Sequence, residues 1–140
     1  MTLEEALALV ARQQLGALVT LRRDGRPQTS NVVYAVRDRE VLVSVTDSRA
    51  KTRNLRRDPR TALHVSTPDG SAWACVEGEA QLSPVTTVPG DEAGRSLAQL
   101  YVQIAGAEHP DWKEFHQAMV DERRLLLTIP VTHGYGGGAS

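Results

Sequence analysis

Short runs of alternating residues separated by tight turns dominate the chain, and they leave few folds open to it. Leu15 to Leu21 is almost wholly apolar and leads into Arg22-Arg23-Asp24-Gly25-Arg26, a turn built on Asp-Gly. The return strand, Pro27 to Val36, puts Gln28, Ser30, Val32 and Tyr34 on one face and Thr29, Asn31, Val33 and Ala35 on the other. Its first half is polar for a strand that enters a core. After the turn Arg37-Asp38-Arg39, a third strand alternates Val41, Val43 and Val45 with Leu42, Ser44 and Thr46. A fourth covers Thr61 to Val65, and a fifth runs from Ala72 to Leu82 after the turn Pro68-Asp69-Gly70. In the fifth, Ala72, Ala74, Val76, Gly78, Ala80 and Leu82 form a small-residue face suited to a barrel interior, and Gly78 permits a bend or a bulge. Leu125, Leu127, Ile129 and Val131 mark a sixth strand.

Helices fill the gaps. Thr2 and Glu5 form a capping box before Leu3, Leu7 and Val10. Residues 83 to 91 are the loosest connection in the chain. Beyond them Ala93, Leu97, Leu100, Tyr101 and Ile104 recur at helical spacing up to Gly106, and His109-Pro110-Asp111 opens a further helix carrying Trp112, Phe115 and Met119. The glycine-rich tail gives little reason for order beyond Tyr135. These elements predict an α+β chain, mainly β: a six-stranded antiparallel closed sheet with peripheral helices, in a single domain over residues 1–140.

One segment stands apart by charge. Residues 48 to 60 hold six of the sixteen Lys and Arg and one acid, about +5 in a chain whose total is -1. Thr46-Asp47-Ser48 supplies capping residues and Asp58-Pro59 a stop, which predicts a helix from Ala50 to Arg57. Arg49 and Lys51 stand at its entrance, where free N–H groups and the helix dipole favour an anion, most simply a phosphate. Arg53, Arg56, Arg57 and Arg60 read equally well as a solvated face opposite Leu55.

Several classes are set aside. With 41% hydrophobic and 24% charged residues, the composition is that of a globular chain. No apolar run reaches the length of a bilayer span, and the acidic start is unlike a secretory signal, so a cytoplasmic protein without a membrane partner is expected. The single Cys75 excludes an internal disulfide and a multi-cysteine metal cluster. His64, His109, His116 and His133 lack ligand spacing, and no metal is expected. One basic segment on an acidic remainder, with 4% aromatics, gives no case for nucleic acid. Neither a Gly-x-Gly-x-x-Gly before a helix, nor a P-loop, nor a nucleophile elbow is present. No catalytic side chain is assigned, and an organic cofactor is expected to carry any chemistry.

Leu15-Gly16-Ala17-Leu18-Val19-Thr20, Asp24-Gly25-Arg26-Pro27-Gln28, Ser30-Asn31-Val32, Arg49-Ala50-Lys51-Thr52-Arg53-Asn54-Leu55, Asp58-Pro59-Arg60, Val76-Glu77-Gly78 and the closing Leu126 to His133 come in a telling order. Together they resemble the flavin/deazaflavin oxidoreductases of the pyridoxamine-phosphate-oxidase-like split-barrel superfamily. The Arg-Ala-Lys-Thr-Arg-Asn-Leu run is most similar to the branch that uses the deazaflavin coenzyme F420. The resemblance implies a homodimeric six-stranded split barrel with cofactor sites at the subunit interface. It also implies a phosphate held by Arg49 and Lys51 with the Ala50 backbone nearby. Gln28, Ser30 and Asn31 would face the ring or its ribityl chain, and Ser44 and Thr46 would add hydroxyls. Trp73 flanks the cofactor from the other subunit or packs in core or interface. The implied activity is hydride transfer from reduced F420 to an unsaturated small organic acceptor. The alternatives are an FMN-dependent oxidase or reductase of the same fold, and a non-catalytic cofactor carrier.

Overall fold

In a computed structural model, which describes residues 1–138, helix α1 (Leu3–Ala11) begins as the sequence predicts. Thr2 Oγ1 accepts from the Glu5 N–H at 3.1 Å, and the Glu5 carboxylate accepts from the Thr2 N–H at 2.9 Å. That box fixes the helix entry, and Ala6, Leu7, Leu9 and Val10 are buried against the sheet. Strands β1 (Leu15–Leu21) and β2 (Pro27–Val33) form the first hairpin, in register from Leu15 opposite Val33 to Leu21 opposite Pro27. Gly25 supplies the positive φ, 85°, that its turn requires.

The expected return strand to Val36 is broken at Tyr34. Its N–H leaves the ladder for the Gln14 carbonyl at 3.0 Å, and its hydroxyl donates to the Val10 carbonyl at 2.6 Å inside the core. The chain resumes as β3 (Ala35–Arg37), then β4 (Glu40–Thr46). Next come α2 (Ala50–Arg57), with the bounds the sequence predicts, β5 (Arg60–Ser66) and β6 (Ala72–Glu79). The fifth predicted strand is also broken, at Ala80, whose N–H turns to the Pro59 carbonyl at 2.7 Å and leaves a separate β7 (Gln81–Leu82). The expected six strands are therefore eight, because two of them each divide where one N–H finds a partner outside the ladder. Two helices, α3 (Glu92–Ala105) and α4 (Trp112–Asp121), precede β8 (Arg124–Gly138).

The fold is α+β, mainly antiparallel β. Strand order is β2-β1-β5-β6-β8-β4-β3, with β7 also on β8, and every pairing is antiparallel. Strand β8 serves both halves of the sheet: Arg124–Pro130 pair with β4, and beyond a register shift at Glu77/Gly78, Gly134–Gly138 pair with β6. A Cβ on Gly78 would stand 2.2 Å from the Pro130 carbonyl oxygen, so the bulge needs glycine there. The tail is ordered further than the sequence suggests, because its glycines let two backbones approach. A Cβ on Gly136 would lie 2.3 Å from the Trp73 carbonyl oxygen. The rest of the expected unordered tail, 139–140, lies outside the described residues.

Inward-facing Leu18, Val43, Leu63, Ala74, Leu125 and Leu127 build the core. A second, smaller cluster of Ala35, Leu42 and Leu100 lays α3 on the outer face of β4. The loop expected to be loose is pinned by Asp91, the N-cap of α3. Its carboxylate accepts from Thr86 Oγ1 at 2.7 Å and from the N–H groups of Thr87, Val88 and Gly94. Those donors hold it well below the usual carboxylate range against the opposing effect of burial. Gly106, at φ 70°, closes α3. No helix among the described residues is long and apolar enough to cross a membrane.

Candidate functional site

The cations of the basic segment divide into two groups. Arg56 pairs with Asp47, which also takes Arg123 at 3.1 Å; these two hold its carboxyl below the usual range, Arg123 foremost. Arg57 Nη2 donates to the Leu21 carbonyl and to Asn54 Oδ1, both at 2.9 Å. Arg60 grips the Asp58 carboxylate through Nε at 3.0 Å and Nη2 at 2.7 Å, which holds that carboxyl at about 2. Arg53, Arg56, Arg57 and Arg60 are all exposed, as a solvated face requires.

Arg49 and Lys51 differ. Among the described residues neither has an ion-pair partner. None of the expected capping residues Thr46, Asp47 and Ser48 caps the helix, and the Asp47 carboxylate is engaged by the two arginines instead. Arg49 itself is the N-cap of α2, with no side-chain capping bond and no acid in the first turn. The opening N–H groups of the helix are therefore left for another acceptor. Burial pushes the half-buried Lys51 ammonium below its usual range, and the Arg49 and Arg124 charges add to that effect.

Lys51 stands at one end of a cavity of about 460 Å³. Asn31, Val33 and Ser44 line its sheet side; Glu122 and Arg124 share the end with Lys51. Leu97, Leu100, Tyr101 and Phe115, from α3 and α4, form an apolar wall opposite. Such a space, with cations and two polar side chains facing an apolar wall, suits a ligand with a ring and an anionic group.

The structure brings Asn31, Ser44 and Lys51 together here, with Arg49 and Ala50 at the adjoining start of α2. Thr46 shares the Ser44 face of β4; its carbonyl accepts from Thr52 Oγ1 at 2.7 Å and from the Arg49 N–H at 3.2 Å, tying the strand to the helix entrance. Gln28 and Ser30 lie on the opposite face of β2 from Asn31, and Gln28 Oε1 accepts from Asn54 Nδ2 at 3.2 Å. Trp73 does not line the cavity. It stacks on His64 at 5.6 Å and meets Tyr135 edge-on at 5.9 Å on the exposed side of the sheet.

Sequence reasoning missed Arg124, Glu122 and the aromatic wall. Arg124 precedes the apolar alternation of β8 and falls opposite Thr46 only through the β4–β8 register. Tyr101 and Phe115 were visible as helix-face residues, but that a cavity lies beneath them depends on how α3 and α4 seat. Among the described residues no group of three or more His, Cys, Asp or Glu side chains is placed to hold a metal ion.

Comparison with known proteins places the fold and the family. A structure named F420 reductase is 25% identical, over 91% of this chain and 94% of the other, with a TM-score of 0.67. A conserved hypothetical protein from Mycobacterium tuberculosis shares the fold at 23% identity, over 99% and 85% of the two chains, with a TM-score of 0.76. A putative pyridoxamine 5'-phosphate oxidase from Listeria innocua shares it at 18% identity, over 98% of each chain, with a TM-score of 0.66. The family pattern of pyridoxamine 5'-phosphate oxidase matches residues 2–136, nearly all of the described fold and every residue of the cavity, and this chain belongs to that family.

Proposed function

We propose that this protein is an oxidoreductase that binds coenzyme F420 and passes a hydride from the reduced deazaflavin to an unsaturated small organic acceptor. The observation that carries the reading is the unpaired Arg49–Lys51 corner at the end of an apolar-walled cavity. The F420 reductase among its structural neighbours supports the choice of cofactor. FMN is the second reading, because it too joins a tricyclic ring to a phosphate and the family pattern is that of pyridoxamine 5'-phosphate oxidase.

When bound, the cofactor supplies the hydride chemistry; the chain's own residues bind, orient and exclude water. Arg49, Lys51 and the opening N–H groups of α2 take the phosphate, each charge-assisted contact contributing about 1.5–3 kcal/mol. Asn31 and Ser44 offer hydrogen bonds along the cavity side, while Leu97, Leu100 and Phe115 keep the opposite side dry.

The active form in this reading is a homodimer. Asn31, Ala17, His64, Cys75 and Tyr135 form one cross-strand row on the outer sheet face. Leu15, Val33, Trp73 and Tyr135 are exposed there. Asn31 and Val33 belong both to this face and to the cavity, so a second copy seated on it would close the cavity mouth.

Parallel fluorescence titrations with F420 and FMN, followed by turnover of the reduced cofactor against a panel of activated alkenes, test the proposal. Tighter F420 binding with turnover is expected. Preference for FMN selects the second reading, tight binding without turnover marks a carrier, and binding of neither refutes both.

A further inference from the structure

The end of the cavity holds more charge than the Arg49–Lys51 pair. Arg124 leaves the first position of β8 directly opposite Thr46, the last residue of β4 before the chain enters α2, and it lines the same cavity as Lys51. Two contacts fix its guanidinium: Nη1 donates to Ser44 Oγ at 3.3 Å and Nε to Glu122 Oε1 at 2.9 Å. A guanidinium carries five N–H donors, so most of the fork stays free for a ligand. Ser44, by accepting from Arg124, keeps its own O–H to donate.

Glu122 is weakly placed. It is the C-cap of α4, where the helix dipole opposes a negative charge, and its side chain is about half exposed at 49%. Arg124 is its ion-pair partner among the described residues. A ligand anion delivered to Arg124 would therefore displace a carboxylate that little else retains.

We propose that Arg124 is the third cation of this anion site and that Glu122 is its exchangeable counter-ion, displaced when a ligand's phosphoryl group binds. Asn31 and Ser44 at the neighbouring wall add no charge of their own. Lys51 feels both Arg49 and Arg124, after burial the causes of its lowered basicity, so the three cations share one neighbourhood. The proposal rests on the reading that this corner takes the cofactor's phosphate, and it adds which residues set the charge and what competes with the ligand.

Phosphorus NMR titration with inorganic phosphate at pH 8 tests it on the intact protein, using wild type, Arg124→Ala, Arg124→Lys and Glu122→Gln. Arg124→Ala should weaken phosphate binding about tenfold, Arg124→Lys should keep most of it, and Glu122→Gln should tighten it severalfold. All four should show the same circular dichroism and closely similar Tm. Wild type that binds no phosphate, or four proteins of equal affinity, would overturn the assignment. So would a loss in Arg124→Ala that follows its loss of folded protein. FMN and riboflavin, which differ by the phosphate, form a second arm. Phosphate binding that responds to Arg124 while FMN and F420 fail to bind removes the proposed function and leaves the third cation standing. Equal FMN affinity in wild type and Arg124→Ala removes the third cation and leaves the function.

Discussion

Asn54 ties α2 to the sheet, and its removal should be clearly destabilising. Its Nδ2 donates to Thr20 Oγ1 at 3.1 Å and to Gln28 Oε1 at 3.2 Å, while Oδ1 accepts from Arg57 at 2.9 Å. Asn54→Ala deletes all three bonds. Arg57 is exposed and keeps the Leu21 carbonyl, and half-buried Gln28 can turn its amide to water, so both losses are small. Thr20 is only 1% exposed, and its hydroxyl would be stranded in the core. An unpaired buried hydroxyl and the lost packing together amount to about 2–4 kcal/mol. For a chain of this length that is a fall in Tm of about 6–12 °C. Thermal unfolding followed by far-UV circular dichroism reads it directly. Thr20→Val removes the stranded group, so the double variant should lose clearly less than the sum of the two single losses. A Tm for Asn54→Ala within about 2 °C of wild type, or a strictly additive double variant, would refute the reasoning.

Three further outcomes follow from the same geometry. Leu15 is 60% exposed opposite Val33, so Leu15→Asp should leave the fold intact and convert a sedimenting dimer to monomer; an unchanged sedimentation coefficient would count against the sheet-face interface. Asp58, held at about 2 by Arg60, contributes stability that is fully present above about pH 4, its ordinary unfolded range, and is lost as pH falls through 2. The Tm gap between wild type and Asp58→Asn should therefore be constant above pH 4 and shrink towards pH 2, and a gap that widens on acidification would contradict the sign. Gly136→Ala should force β8 from β6, lowering Tm and speeding amide exchange across Gly134–Gly138; unaltered exchange there would show that the strand tail contributes nothing.

Local signals were legible in the sequence because their causes are local. The Thr2–Glu5 box, the bounds of α2, the bulge at Gly78 and the buried alternation of Leu125, Leu127 and Ile129 each rest on neighbouring residues. What escaped depends on partners distant in the chain. Tyr34 and Ala80 break their strands because Gln14 and Pro59 offer carbonyls, and no pattern within those strands shows it. The cap of α2 falls on Arg49 rather than within Thr46-Asp47-Ser48, and Asp47 instead pairs with Arg56 and with Arg123, seventy-six residues on. Charge along the chain singled out Arg49 and Lys51, but Arg124 reaches them only through the strand register. Gly136–Gly138 suggested looseness, whereas small residues there are what close backbone packing demands.

The central claim is that Arg49 and Lys51 hold the phosphate of a ring-bearing cofactor. Fluorescence titration of Lys51→Ala with F420 and FMN, and with riboflavin as the phosphate-free counterpart, tests it most directly. Affinity should fall about tenfold or more for the two phosphate-bearing molecules and stay unchanged for riboflavin, with the protein still folded. Unaltered binding of all three, or an equal loss for riboflavin, would contradict it.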